Sequence, residues 1–136
     1  MSRRVDVFFY GLFMDEELLR AKGLAPGEPE LATVNGFALR IGRRAALVPE
    51  PSARVHGVVM SLTPEELEQL YADPAVAEYK PKAVLAHLAG GGFVAALCYN
   101  LADPPPPDEA NAEYAEKLRR TAAKVGLPAD YVASLK

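Results

Sequence analysis

Glycine and proline residues interrupt the apolar stretches of this chain at short intervals, and this spacing limits the folds it can adopt. Between Leu31 and Leu62 the interruptions fall at Gly36, Gly42, Pro49, Pro51 and Gly57. Such punctuation is typical of consecutive short strands joined by turns. Turn signals along the chain indicate roughly five to seven strands with few helices between them, which argues against a doubly wound parallel sheet. We therefore expect an α+β fold with a curled, mostly antiparallel sheet and flanking helices.

The first segment of the chain is predicted to be a strand that leads directly into a helix. Residues Val5 to Tyr10 are mostly β-branched or aromatic, and the run ends at Gly11. Phe13, Leu18 and Leu19 follow at a spacing that places them on one side of a helix. Gly23 is expected to end this helix, because glycine readily takes the left-handed conformation found there.

A second helix is predicted to start at Thr63-Pro64-Glu65-Glu66. Thr63 is a suitable cap, Pro64 suits the first helical position, and Glu66 can return a hydrogen bond to the cap. Asp73-Pro74 is expected to end this helix, since proline disfavours helical geometry in the residue before it.

The second half of the chain is predicted to contain a hairpin and then two helices. Alternating runs from Lys82 to Leu88 and from Phe93 to Leu101 flank three glycines. Pro104 to Pro107 is interpreted as a stiff connector. Asp108 is expected to cap a helix that ends at Gly126, and a short terminal helix follows.

The charge balance makes nucleic acid and membrane surfaces unsuitable partners. The chain has 136 residues, a length that fits one domain, with 15 Lys and Arg against 18 Asp and Glu and a net charge of -3. Such a chain has no broad attraction for phosphate backbones or anionic lipid. The local cluster of Arg40, Arg43 and Arg44 is interpreted as a solvated hairpin tip.

Cys98 is the only cysteine, which excludes an intramolecular disulfide and a thiolate cage for a metal. His56 and His87 fall in separate predicted strands and lack the spacing of a metal-binding pair, so structural roles are favoured. The apolar run after Met1-Ser2-Arg3-Arg4 is too short for a signal sequence or a membrane span. We expect a reducing compartment, and hence a cytoplasmic protein.

The turn Tyr10-Gly11-Leu12-Phe13-Met14 is the first candidate for a ligand site. Gly11 lets a ligand approach the backbone closely, because it has no Cβ. A helix start at this point presents unpaired N–H groups and partial positive charge, which suit a carboxylate. The same glycine is also consistent with a tight turn that binds nothing, and the turn alone leaves both interpretations open.

A series of short motifs, in the same order along the chain, resembles the γ-glutamylcyclotransferase and AIG2-like family. Phe8 to Met14 is similar to the Tyr-Gly-Ser/Thr-Leu segment that opens these proteins. The further similarities cover nearly the whole chain and comprise Asn35-Gly36-Phe37 with an arginine shortly after, Val55-His56-Gly57-Val58-Val59, Leu70-Tyr71, Tyr79, Cys98-Tyr99 and Gly126 to Tyr131.

The resemblance implies a fold and a reaction. The fold would be one domain over residues 1–136, a small closed or strongly curled mixed β-barrel with helices 108–135 packed on it. In the family reaction, the α-amine of a γ-glutamyl amine or amino acid attacks its own γ-carbonyl, which yields 5-oxoproline and a free amine. No cofactor is implied, and either a monomer or a homodimer is compatible with it.

The resemblance also suggests which residues bind the small-molecule ligand, a γ-glutamyl compound or another carboxylate. Backbone N–H groups of Gly11, Leu12 and Phe13, next to Tyr10, are expected to hold its anionic group. Tyr79 and Tyr99 are expected to line the pocket. For both tyrosines, burial with a partner inside the protein is an equally good interpretation.

The sequence departs from the family pattern at the catalytic carboxylate. Members with the enzyme activity carry Leu-Asp followed within a few residues by Glu-Gly, whose glutamate is the acid/base, and here Pro74 or Ala75 takes that place. We predict Glu78 as the substitute acid/base, with its pKa raised by partial burial. Asp73 is the alternative. A solvated loop position for Glu78 and a helix-ending role for Asp73 are the competing interpretations.

Three functions therefore stay open at the level of sequence. The first is a γ-glutamylcyclotransferase that uses Glu78. The second, favoured by the missing Glu-Gly, is a non-catalytic binding module for a small carboxylate metabolite. The third is a scaffold whose pocket is filled by its own side chains. Ser52 and Ser61 lack the surroundings of a hydrolase nucleophile.

Overall fold

The computed structural model describes residues 3–106 and 108–135. This part of the chain contains five strands and four α-helices. The strands are β1 (Val5–Phe9), β2 (Glu30–Ile41), β3 (Ala45–Leu62), β4 (Lys80–Leu88) and β5 (Phe93–Asn100). The α-helices are α1 (Glu16–Ala21), α2 (Pro64–Leu70), α3 (Ala112–Val125) and α4 (Ala129–Ser134). A 3-10 turn, Leu12–Met14, separates β1 from α1.

The strands form a closed barrel in the order β1-β3-β2-β4-β5. Each pair of neighbours in that order is antiparallel. The barrel closes where β1 runs parallel to β5, with Val7 opposite Leu97. The predicted α+β fold, a closed and mixed β-barrel with flanking helices, is therefore confirmed.

The region predicted to hold several short strands forms two long ones instead, β2 and β3. Their pairing shifts register between Asn35 and Phe37. Gly36 lies at this bulge with a φ of +87°, a conformation that glycine adopts at little cost. β3 is long because its last part, Val58 to Leu62, pairs with β1. Glycine and proline mark bulges within strands as well as turns between them, which is why the prediction divided this region too finely.

The second helix starts as predicted but ends early. The Thr63 hydroxyl accepts a hydrogen bond from the Glu66 N–H at 3.1 Å, and the Glu66 carboxylate accepts one from the Thr63 N–H at 2.9 Å. α2 then ends at Leu70, before the expected Asp73-Pro74. The next residue, Tyr71, stacks on Tyr99 of β5. This tertiary contact has no local sequence signal.

The C-terminal helices begin later than residue 108. Asn111, and not Asp108, caps α3, and its side-chain oxygen accepts a hydrogen bond from the Tyr114 N–H at 3.0 Å. Asn and Asp are nearly equal caps, so sequence alone does not choose between them. Gly126 ends α3 with a φ of +92°, as predicted. In the predicted proline connector, Pro107 lies outside the described residues.

Alternating side chains of the strands form two buried clusters, one inside the barrel and one beneath the helices. Phe8 and Cys98 belong to the inner cluster, with Val34, Val55 and Ala86. The outer cluster joins strand residues to helical ones, among them Val7, Met60, Leu62, Leu118 and Ala122. Within the described residues, every helix is too short or too polar to cross a membrane.

Candidate functional site

A cavity of about 240 Å³ lies beside the end of β1. The turn after β1 and helix α3 border it on one side. On the other side lies the connection from α2 to β4, residues 71–79, which we call the strap. The lining residues are mostly aromatic or aliphatic and comprise Phe8, Phe9, Tyr10, Gly11, Leu12, Phe13, Arg44, Ala45, Tyr71, Ala75, Val76, Tyr79, Tyr99 and Tyr114.

The turn after β1 brings main-chain amides without main-chain acceptors to the cavity. Among the described residues, the N–H groups of Gly11, Leu12 and Phe13 donate to no main-chain carbonyl. The expected direct passage from strand to α-helix is wrong, since only the single 3-10 turn follows β1 and α1 begins at Glu16. The partial charge of a helix N-terminus is therefore small here. The Leu12 N–H bonds to the Tyr114 hydroxyl, and the amides of Gly11 and Phe13 remain as donors.

Tyr10 lines the cavity with its ring and bonds within the protein through its hydroxyl. The hydroxyl donates to the Tyr99 carbonyl oxygen at 2.9 Å and lies 3.3 Å from the Asn100 Oδ1. Burial is the main cause that raises the pKa of this hydroxyl far above its usual value. Tyr10 therefore stays protonated at neutral pH and anchors β1 to β5.

Tyr79 and Tyr99, both predicted to line the pocket, lie at the cavity. The ring of Tyr99 stacks on Tyr71, with centroids 3.9 Å apart and planes 7° from parallel. The Tyr79 hydroxyl donates a hydrogen bond to the carbonyl oxygen of Ala45. Burial raises the pKa of both tyrosines. The Tyr79 hydroxyl has the internal partner that the competing interpretation described, although its ring still lines the cavity.

Glu78 lies next to the cavity but is not among its lining residues. Its side chain is 72% exposed, so the partial burial predicted for it is wrong. Residues 72–75 and 77 of the strap are also exposed, which leaves the glutamate on the solvent side. Its Oε1 lies 3.3 Å from the Nη1 of Arg44. Asp73, the alternative, is exposed and accepts a hydrogen bond from the Ala75 N–H within the strap.

Arg44 is a cavity residue that the sequence interpretation missed. It precedes β3, and its side chain is only 33% exposed, whereas the exposed Arg43 has the character expected of a solvated hairpin tip. Arg40 donates to the Pro105 carbonyl oxygen at 3.2 Å and does not line this cavity.

Tyr114 and Tyr71 are two further lining residues, which the sequence analysis did not assign to the ligand site. The Tyr114 hydroxyl lies 3.2 Å from the position that a Cβ on Gly11 would take, so α3 closes over the turn. Burial raises the pKa of Tyr114 to about 12, and a hydrogen bond from the Leu12 N–H partly offsets that rise. Burial likewise raises the pKa of Tyr71. Both residues come from elements whose placement depends on tertiary packing.

The electrostatics of the cavity follow from this lining. Its five tyrosines all have raised pKa values and are neutral at physiological pH. Among the described lining residues, Arg44 alone carries a formal charge, and none is a carboxylate. The arrangement can therefore attract an anion and surround an apolar group, but its lining offers no acid/base carboxylate.

Other side chains considered from the sequence are not among the lining residues of the cavity. The His56 ring meets Tyr131 with centroids 4.7 Å apart, and the His87 ring lies 5.9 Å from Phe93. Cys98 is buried, which raises the pKa of its thiol to about 12. In the described parts of the chain, no group of three or more His, Cys, Asp or Glu side chains is arranged to hold a metal ion.

The fold and the cavity define a class of protein, the small closed barrel with outer helices and an aromatic cavity at the turn after its first strand. Residues 7–119 match the sequence family described as "Gamma-glutamyl cyclotransferase, AIG2-like". The chain belongs to this family. No curated protein sequence matches it.

Solved structures share the same fold. A structure titled "Gamma-glutamyl cyclotransferase" superposes with a TM-score of 0.83 at 20% identity, over 98% of this chain and 86% of that one. An uncharacterized protein from Homo sapiens gives a TM-score of 0.81 at 20% identity, over 97% of this chain and 86% of that one. A solution structure from Arabidopsis thaliana gives a TM-score of 0.68 at 28% identity, over 90% of this chain and 85% of that one.

Proposed function

We propose that the cavity binds a γ-glutamyl compound or another small carboxylate metabolite, and that the chain acts as a binding protein. Membership of the family supports the γ-glutamyl chemistry, and a hollow of about 240 Å³ suits a small metabolite. One observation carries the proposal: a single cation, Arg44, faces a cavity whose other described lining residues are uncharged. Guanidinium groups bind carboxylates through paired, charge-assisted hydrogen bonds.

The surroundings of Arg44 support the binding of an organic anion. The amides of Gly11 and Phe13, which lack main-chain acceptors among the described residues, are additional donors at the same cavity. Aromatic rings such as that of Phe13, which meets Tyr71 edge to face at 5.9 Å, suit the apolar part of the ligand. Exclusion of water by these rings strengthens the attraction between opposite charges.

Binding is favoured over cyclisation because the lining lacks a base. Cyclisation requires a group that takes a proton from the α-ammonium and delivers one to the departing nitrogen. The lining tyrosines are poor bases, since burial holds their hydroxyls protonated at neutral pH. Glu78 extends into solvent.

Isothermal titration with 5-oxoproline and with γ-glutamyl methylamide tests the proposal. We expect saturable binding that Arg44→Ala weakens by about tenfold or more, because the variant loses a charge-assisted pair. Arg43→Ala, an exposed neighbour in the same loop, is the matched control and should bind like the wild type. Equal binding by the Arg44 variant, or no binding of either probe to the wild type, would contradict the proposal.

Cyclotransferase activity with Glu78 as acid/base is the second candidate. The contact between Glu78 and Arg44 favours it, because it holds a carboxylate at the edge of the cavity. In this reaction the α-nitrogen forms a bond to the γ-carbonyl carbon and the bond from that carbon to the leaving nitrogen breaks. Glu78 would accept a proton from the α-ammonium and return one to the leaving amine.

Chromatographic detection of 5-oxoproline from γ-glutamyl methylamide separates the two candidates. If the protein is a cyclotransferase, the wild type should release 5-oxoproline. Glu78→Gln should abolish this release without lowering the melting temperature. Glu68→Gln, which removes an exposed charge on α2, should leave release unchanged. Binding by the wild type without any product would exclude the cyclotransferase and retain the binding protein.

We also propose that residues 1–136 act as a single cytoplasmic domain, either monomeric or homodimeric. The buried single cysteine, Cys98, supports a reducing compartment, since no disulfide within the chain is needed. Cell fractionation tests the compartment, and light scattering of the purified chain tests the oligomeric state.

A further inference from the structure

We propose that Glu78 sets the charge selectivity of the cavity by competing with the ligand for Arg44. The inference rests on the proposed binding function, in which Arg44 receives the ligand carboxylate. In this role Glu78 is a specificity-determining residue that opposes anion binding, and its effect has the opposite sign to that of a catalytic acid/base.

The geometry of the strap carries this inference. Glu78 reaches Arg44 with one carboxylate oxygen, 3.3 Å from Nη1. The following residue, Tyr79, bonds through its hydroxyl to the carbonyl oxygen of Ala45, the residue after Arg44. Two consecutive strap residues thus contact two consecutive residues, Arg44 just before β3 and Ala45 at its start. The Tyr79 anchor keeps the Glu78 carboxylate near the guanidinium when the ion pair opens.

The consequence for a ligand follows from the donors of the guanidinium. A carboxylate binds arginine best through two parallel N–H donors. Glu78 engages Nη1, so a ligand carboxylate that uses the Nη1 and Nη2 pair must displace it. A ligand carboxylate that uses the Nε and Nη2 pair instead binds beside the negative charge of Glu78. The displaced Glu78 stays nearby and repels the new negative charge. A neutral ligand of the same shape meets neither obstacle.

Matched probes and variants test the competition by isothermal titration. The probes are 5-oxoproline and 5-oxoprolinamide, in which a neutral amide replaces the carboxylate. Glu78→Gln should raise the affinity for 5-oxoproline by about threefold to tenfold and leave that for 5-oxoprolinamide unchanged, as expected for loss of an exposed competing charge. Glu68→Gln removes the same charge from an exposed position on α2 and should change neither affinity.

A double variant with Arg44→Ala tests whether the affinity gain of Glu78→Gln depends on the Arg44 guanidinium. Because Glu78 acts through the guanidinium, the gain from Glu78→Gln should disappear in the double variant. The inference is overturned if the single variant shows no gain or a loss, if both probes gain equally, or if the gain persists without Arg44. If neither probe binds the wild type or Glu78→Gln, the proposed function fails and the inference fails with it. If the wild type binds and Glu78→Gln binds equally well, the competition by Glu78 is rejected and the proposed binding function stands.

Discussion

The cavity has two walls that differ in how they are held. The wall formed by α3 and the end of β1 continues into the outer cluster, where Leu118 and Ala122 are fully buried. The strap exposes residues 72–75 and is held by the Tyr71 stack, the Tyr79 hydrogen bond and the ion pair of Glu78. Segments with few buried apolar contacts open at lower free energy than the core does. The buried wall is therefore the more rigid side of the cavity, and the strap is expected to open more easily.

The largest difference between the walls should appear when apolar side chains are truncated. Leu118→Ala removes a fully buried side chain from α3 and should lower the free energy of unfolding by about 2–5 kcal/mol. Val76→Ala on the strap removes a half-buried one and should cost about 1 kcal/mol or less. Urea denaturation measures both. Similar losses at the two sites would show that the strap is as much a part of the core as α3.

A smaller difference is expected for hydrogen bonds of one type. Tyr10 and Tyr79 each donate a hydroxyl bond to a main-chain carbonyl. Tyr10→Phe removes the hydroxyl of a buried residue and should lower the free energy of unfolding by about 1–2 kcal/mol. Tyr79→Phe should cost less than about 1 kcal/mol, because water reaches the half-buried site. Thermal denaturation of both variants measures the order, and a reversed order would contradict the comparison.

The smallest expected effect is on the pH dependence of stability, through His56 of strand β3. Burial, and then the charge of Arg54, lower the pKa of His56. The folded state disfavours the protonated ring. The stability that neutral His56 contributes is therefore fully present above the usual histidine pKa of about 6.5, and it is lost as the pH falls below that value. His56→Gln should therefore reduce the loss of melting temperature between about pH 7.5 and about pH 5.5. The exposed His87→Gln is the control, and an equal reduction there would contradict the assignment.

The features of the fold that depend only on residues close together in the sequence could be predicted. The bonds between Thr63 and Glu66, and the left-handed glycines Gly23 and Gly126, need only local chemistry. The length of β3 could not be predicted, because the strand pairs with β2 along most of its length and with β1 through its last part. Partner choice depends on residues far apart in the sequence, which periodicity does not report.

The candidate site divides in the same way. The structure brings the turn from Tyr10 to Phe13 together with Tyr79 and Tyr99 at one cavity, and their roles in binding stay predictions. Arg44 escaped prediction because a cluster of arginines near a turn usually faces solvent, and only tertiary packing makes one of them a lining residue. Glu78 was expected to be partly buried, but its surroundings are set by the path of the strap.

The parallel contact of β1 with β5 has a consequence for the assembly of the molecule. Val7 cannot meet Leu97 until the chain has been synthesised past β5, and the cavity also needs Tyr114 from α3. Contacts between such distant segments form late, because a long loop must close first. On the ribosome, the cavity is therefore expected to be among the last parts to form, and a nascent chain that stops before α3 lacks part of its lining.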